Sequence, residues 1–101
     1  MRDTTLGLGQ LTSAATHFER ALESDPNFAV AHVNLASTLG RLGQPDKAIR
    51  HLREALELRP DLAEAHYILA LALQDQGKPK EARPHYEQAR RLNPQLPPVA
   101  W

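Results

Sequence analysis

AVAHVNLASTLGRLGQPDKAIRHLREALELRPDL, residues 29–62, is followed directly by AEAHYILALALQDQGKPKEARPHYEQARRLNPQL, residues 63–96, and the two stretches are versions of one 34-residue text. They agree at Ala29 and Ala63, Ala31 and Ala65, His32 and His66, Leu35 and Leu69, Ala36 and Ala70, Leu39 and Leu73, Gly43 and Gly77, Pro45 and Pro79, Ala48 and Ala82, His51 and His85, Ala55 and Ala89, Leu58 and Leu92, Pro60 and Pro94, and Leu62 and Leu96. The same step backwards meets Gly9, Ala14, His17, Ala21 and Pro26. A fixed period of this length marks one supersecondary unit copied along an axis, so the fold can be read from a single copy.

Within a copy the matches recur at helical spacing. Leu35, Ala36, Leu39 and Leu42 form one apolar face, and Ala48, Leu52, Ala55 and Leu56 form another. Gly43 and Gly77 are placed to end the first helix, because glycine takes the left-handed conformation without steric cost. Pro45 and Pro79 then open the second, where a first-turn amide has no partner to lose. Pro60 stops that helix, and Asp61 is expected to cap the next one with Glu64 as its capping-box partner. Each copy is thus a helical hairpin. The chain divides into a partial repeat over 1–28, repeats over 29–62 and 63–96, and a tail over 97–101, within one domain spanning 1–101.

Composition narrows the class. The 101 residues are 42% hydrophobic with only five aromatics, which points to a core of leucine and alanine. Without cysteine there is no disulfide framework or thiol chemistry, which is compatible with a reducing, cytoplasmic setting. No apolar run reaches the length of a membrane span, and residues 1–10 lack a signal-peptide core. Twelve basic residues balance twelve acidic ones, so neither a membrane nor a nucleic acid is expected as partner. Nucleic-acid binding through Arg50, Arg53, Arg83, Arg90 and Arg91 is a distant alternative.

The pattern of small and large residues resembles the tetratricopeptide repeat. Its second helices read Ala14, Phe18, Ala21, Pro26, then Ala48, Leu52, Ala55, Pro60, then Ala82, Tyr86, Ala89, Pro94. Its first helices read His32, Leu35, Ala36, Leu39 and His66, Leu69, Ala70, Leu73, with histidine in the slot that usually holds tryptophan. The resemblance implies an all-α, right-handed superhelical stack of antiparallel hairpins, here about two and a half repeats. It also implies a non-catalytic module that binds a protein or peptide partner in a concave groove. Carried onto this sequence, the groove face is Val30, Val33, Asn34, Ser37 and Arg41 from one copy and Glu64, Tyr67, Ile68, Leu71, Gln74 and Asp75 from the next. Relatives that grip the acidic C-termini of heat-shock chaperones use lysine and asparagine on this face, but Val33, Ser37, Tyr67 and Leu71 stand at the matching places. The alternative is a substrate-recruiting segment of a larger enzyme such as a glycosyltransferase, whose asparagine ladder is matched by Asn34 and broken by Ile68.

No catalytic residue or cofactor is expected. The histidine ladder His17, His51 and His85 is an unpromising metal site, since equivalent side chains of stacked units run parallel at about 8–10 Å and do not converge to about 2 Å from one ion. His32 and His66 are expected to pack as flat rings at a helix contact. The ends depart from the repeat. Gly7 and Gly9 weaken any helix before residues 12–24, which leaves Ala14, Phe18, Ala21 and Leu22 incompletely covered and available to a homodimer. The chain therefore reads either as a piece of a longer array or as half of a pair. Arg83, Arg90 and Arg91 give the helix near 80–93 the polar face of a C-terminal cap. Pro84 is expected to kink that helix or delay its start, and Trp101 either begins a further element or folds back over Tyr86 and Leu92.

Overall fold

The computed structural model of the protein describes the backbone of residues 2–97 and the side chains of residues 9–97. Five helices follow one another: α1 (Arg2–Ser24), α2 (Ala29–Arg41), α3 (Pro45–Leu58), α4 (Ala63–Asp75) and α5 (Pro79–Leu92). Helices α2 and α3 form one hairpin and α4 and α5 the next, while α1 packs on α2 and α3 on α4. The first helices of the two hairpins, α2 and α4, also touch.

Two kinds of turn, each repeated, produce this order. After α2 and α4 the chain reverses through Gly43 (φ 79°) and Gly77 (φ 76°), the two described residues with positive φ. The amides of Gln44 and Lys78 reach back to the carbonyls of Leu39 and Leu73, both at 2.9 Å, closing the helix end in the Schellman manner. After the second helices, an amide at Asp25, Arg59 or Asn93 caps onto Ala21, Ala55 or Ala89, and proline follows at once. A further turn bond joins Phe28 to Asp25, Leu62 to Arg59 and Leu96 to Asn93.

Alanine sets the distance between helices. Ala55, Ala65, Ala70, Ala82 and Ala89 are wholly buried, as are Leu52 and Leu69, and Leu35, Ala36 and Leu73 are nearly so. With only a methyl group at the crossings, the backbones approach closely and the leucines fill the space beside them.

Three local expectations give way to the structure. Gly7 and Gly9, expected to weaken any helix before residues 12–24, do not interrupt one, since α1 runs unbroken through Gly9. The reason lies two residues on, where Leu11 replaces the proline of Pro45 and Pro79 and nothing forces a new helix to begin. Asp61 does not cap α4, because the N-cap is Leu62 and makes no side-chain cap bond; Asp61 sits one residue early in the turn, with its carboxylate 3.7 Å from Arg59. Helix α5 does not start late, since Pro79 opens it in register with α3 and Pro84 lies inside it. The carbonyl of Lys80, which loses an amide partner to Pro84, belongs to an exposed residue that water can serve. The expected roles of Trp101 lie outside the described residues.

The ends differ as expected. Ala14, Phe18 and Ala21 of α1 are half-buried, whereas their equivalents Ala48, Leu52 and Ala55 are buried. Ala15 and Ile49 are buried beneath the following unit, and Arg83 at the same place in α5 is exposed.

Enlarging Ala55 to leucine is expected to overpack the α2–α3 crossing and cost about 1–3 kcal/mol. A thermal or urea melt checks this, and an unchanged midpoint would mean that the crossing has room the structure denies.

Candidate functional site

The groove face carried by α2 and α4 separates into three groups. Ser37, Arg41, Ile68, Leu71 and Asp75 line one hollow of about 390 Å³, together with Ala36, Gly40, Pro45, Ala48, Leu52 and Ala72. Its surface is apolar where Ile68, Leu71 and Ala72 meet, and Arg41 and Asp75 are exposed beside it. No ion pair joins Arg41 to Asp75 among the described residues, so the neutralising pair that their shared register allows is not made. The second group is Val30, Asn34, Glu64, Tyr67 and Gln74, which lie on the same helices outside this hollow. Val30 is 40% exposed, while the Tyr67 ring stands 6.3 Å from that of Tyr86 and acts in packing between α4 and α5. The third is Val33 alone, which is 3% exposed and belongs to the core, so it offers a ligand no surface. Another hollow, of about 440 Å³, lies on α5 among Pro79, Lys80, Arg83, Pro84 and Glu87. It has none of the groove residues.

A second constellation joins the two histidine registers. His32 Nδ1 lies 3.0 Å from His51 Nδ1, and His66 Nδ1 lies 3.1 Å from His85 Nδ1. On the far side of each first-helix ring, Nε2 of His32 is 3.0 Å from the carbonyl of Pro26, and Nε2 of His66 is 3.0 Å from that of Pro60. A carbonyl only accepts, so Nε2 of His32 and of His66 carries the proton and donates. In the neutral ring Nδ1 is then an acceptor, and the donor across the hairpin is Nδ1–H of His51 or His85. Each histidine pair therefore links the turn before a unit, the first helix and the second helix in one chain of hydrogen bonds.

The flat-ring packing expected of His32 and His66 is present, with ring centroids 5.3 and 5.4 Å from those of His51 and His85. What the sequence reading missed is that the two registers meet. The signal was available as a repeated separation of nineteen residues, from His32 to His51 and from His66 to His85. His17, the remaining member of the ladder, is exposed.

Burial is the main cause that pushes the His51 imidazole below its ordinary value, and His32 adds to it while Glu54 opposes. Burial likewise depresses His85, with His66 and Arg53 adding and Glu81 opposing.

The tetratricopeptide repeat pattern matches residues 27–95, more than half of the chain. The chain belongs to the tetratricopeptide repeat family. Among solved structures, MamA of AMB-1 aligns with a TM-score of 0.76 at 28% identity, over 83% of this chain and 49% of that one. MamA of MSR-1 aligns with a TM-score of 0.73 at 28% identity, over 91% and 56%. This tetratricopeptide repeat chain thus spans about half the length of these MamA structures. The first such domain of Spaghetti (RPAP3), bound to the HSP90 peptide SRMEEVD, gives a TM-score of 0.83 at 23% identity, over 93% and 75%. At that identity the likeness is one of fold, the family's right-handed stack of helical hairpins. No curated protein matches the chain.

Stability is expected to depend on pH through His51 and His85. With folded values below about 6.5, the unfolded chain binds more protons just under that pH, so stability is complete above it and falls as the pH drops toward the folded values. Urea unfolding at pH 7.5, 6.5 and 5.5 is expected to show this decline, and replacing both His51 and His85 by glutamine is expected to flatten it. An equally steep decline in that variant would assign the pH dependence to other groups.

Proposed function

We propose that this domain is a protein-interaction module that holds a peptide segment of a partner along the α2 and α4 face. The observation that carries this reading is the hollow that brings Ser37, Arg41, Ile68, Leu71 and Asp75 together from two successive units. Ile68 and Leu71 offer apolar contact, and Ser37 offers hydrogen bonds to peptide backbone. Arg41 and Asp75, exposed and of opposite charge, favour a segment carrying complementary charges in register. Membership of a family of non-catalytic interaction modules and the peptide bound by the Spaghetti domain support the same class of function. Val33 is left out of the site because burial removes it, and Tyr67 contributes through packing on Tyr86 as much as through contact. Val30, Asn34, Glu64 and Gln74 extend the same face beyond the hollow.

No described helix is long and apolar enough to cross a membrane. A cytoplasmic setting is part of this proposal. The reading as the recruiting segment of a larger enzyme rests on Asn34 alone, since half-buried Ile68 interrupts the ladder it would begin.

Peptide display against the immobilised protein tests the site. Selected peptides are expected to lose at least tenfold in affinity on Leu71→Glu combined with Arg41→Ala, with helix content by circular dichroism unchanged. Equal calorimetric affinity for the variant would move the binding surface off this face.

Self-association is proposed separately, through the half-buried Ala14, Phe18 and Ala21 of α1, whose equivalents Ala48, Leu52 and Ala55 are buried, together with Leu22, half-buried like its equivalent Leu56. A two-fold pair in which this patch meets itself is the simplest closed arrangement. Sedimentation equilibrium is expected to detect a dimer that Phe18→Glu abolishes, and a strict monomer at high concentration would overturn the pairing.

A further inference from the structure

We infer that the first complete unit holds a binding site for one zinc-type divalent transition-metal ion, formed by His32, His51 and Glu54. One potential ligand atom from each of these residues lies within 4.8 Å of the other two. The site is distinct from the peptide groove. None of its three residues lines that hollow.

Three features argue for it. The first is the distance between His32 Nδ1 and His51 Nδ1, 3.0 Å. Two nitrogens bound at about 2.0–2.1 Å in a tetrahedral arrangement stand about 3.3 Å apart, so the hydrogen-bonded pair becomes two ligands of one ion by a shift of a few tenths of an ångström together with a tilt of the rings that turns both lone pairs from each other toward the metal. The second is the carbonyl of Pro26 on Nε2 of His32. A ligating histidine characteristically donates its other ring proton to a carbonyl or carboxylate, which fixes the tautomer and aims the free lone pair at the metal. His32 is held in that state by the turn before its own helix, and with 5% exposure its ring has little freedom to move elsewhere.

The third feature is Glu54, three residues after His51 and hence on the same side of α3. Its Oε2 is 3.7 Å from His32 Nε2, and its side chain is 49% exposed, so it can turn from that edge of the ring toward the Nδ1 side without moving the backbone. Two imidazoles and a carboxylate form a ligand set that zinc accepts with one position left to water.

Binding requires His51 to give up the proton on Nδ1. In the neutral ring it moves to Nε2, so the imidazole enters the site uncharged and no net proton is released. Acid weakens binding, because protons compete with the metal for the ligand nitrogens.

The second unit supplies an internal control. His66 and His85 repeat the pair and the carbonyl bond to Pro60, but Gln88 stands where Glu54 does, and an uncharged amide is a much poorer ligand. The ladder reading compared histidines one period apart, along the stack, where they do not converge. The ligands converge across a single hairpin instead.

The test titrates the untagged protein with zinc chloride, using calorimetry for affinity and imidazole ¹⁵N shifts for the atoms involved. One equivalent is expected to bind, moving the Nδ1 resonances of His32 and His51 and not those of His66 and His85. Glu54→Gln, a change at an exposed position that leaves the histidine pair in place, is expected to weaken binding roughly tenfold or more. His51→Ala is expected to abolish it while His85→Ala leaves it unchanged, with circular dichroism checking that each variant is folded. No saturable binding below millimolar zinc, equal response of both histidine pairs, or full affinity in Glu54→Gln would overturn the proposal.

Discussion

Everything in this domain depends on how closely α2 and α4 approach their second helices, and alanine sets that approach. A methyl group at Ala55 and Ala89 leaves no side chain to hold the backbones apart, so dispersion contacts are made by the leucines packed beside them. The histidine pairs are a consequence. An imidazole projecting from α2 meets one from α3 at 3.0 Å only because the crossing is tight and the two rings start from opposite sides of it. A wider crossing would leave His32 and His51 as separate surface groups.

The aromatic slot of the repeat is thereby given a different physical content. A tryptophan there would contribute area and one N–H. A histidine contributes less area but two nitrogens in line, and both are used: one accepts from the second helix, and the other donates to the proline carbonyl of the preceding turn. Packing and hydrogen bonding then act at one place, and the turn before each unit is tied to the hairpin it introduces. The same arrangement brings His51 and His85 into the folding equilibrium, because burial at the hairpin contact disfavours their charged form. Two units with one backbone and different third residues, Glu54 and Gln88, show how a structural staple and a candidate ligand set can share a framework.

The proposed peptide face is governed by the other side of the same helices. Residues of α2 and α4 that do not pack against α3 and α5 face outward together, because successive units stack with their first helices adjacent. This adjacency places Ser37 and Arg41 opposite Ile68, Leu71 and Asp75 around one hollow. It also removes Val33, which packing draws into the core, and gives Tyr67 a neighbour in Tyr86. A face defined by register alone therefore contains residues that a ligand can reach and residues that it cannot.

The sequence by itself determined the period, the hairpins, the glycine turns and the alanine and leucine core, since each follows from local spacing and from the conformations open to glycine and proline. It also bounded the groove face, because helical periodicity assigns residues to sides. Local rules erred where several signals had to agree: Gly9 matched Gly43 in identity, yet without a proline two residues later it left α1 uninterrupted. Only the tertiary structure decided which groove residues share a hollow and that the two histidine registers are one feature. Those outcomes turn on the distance and angle at which helices cross. That geometry is set by the joint packing of many side chains, and spacing along one strand of sequence carries no direct measure of it.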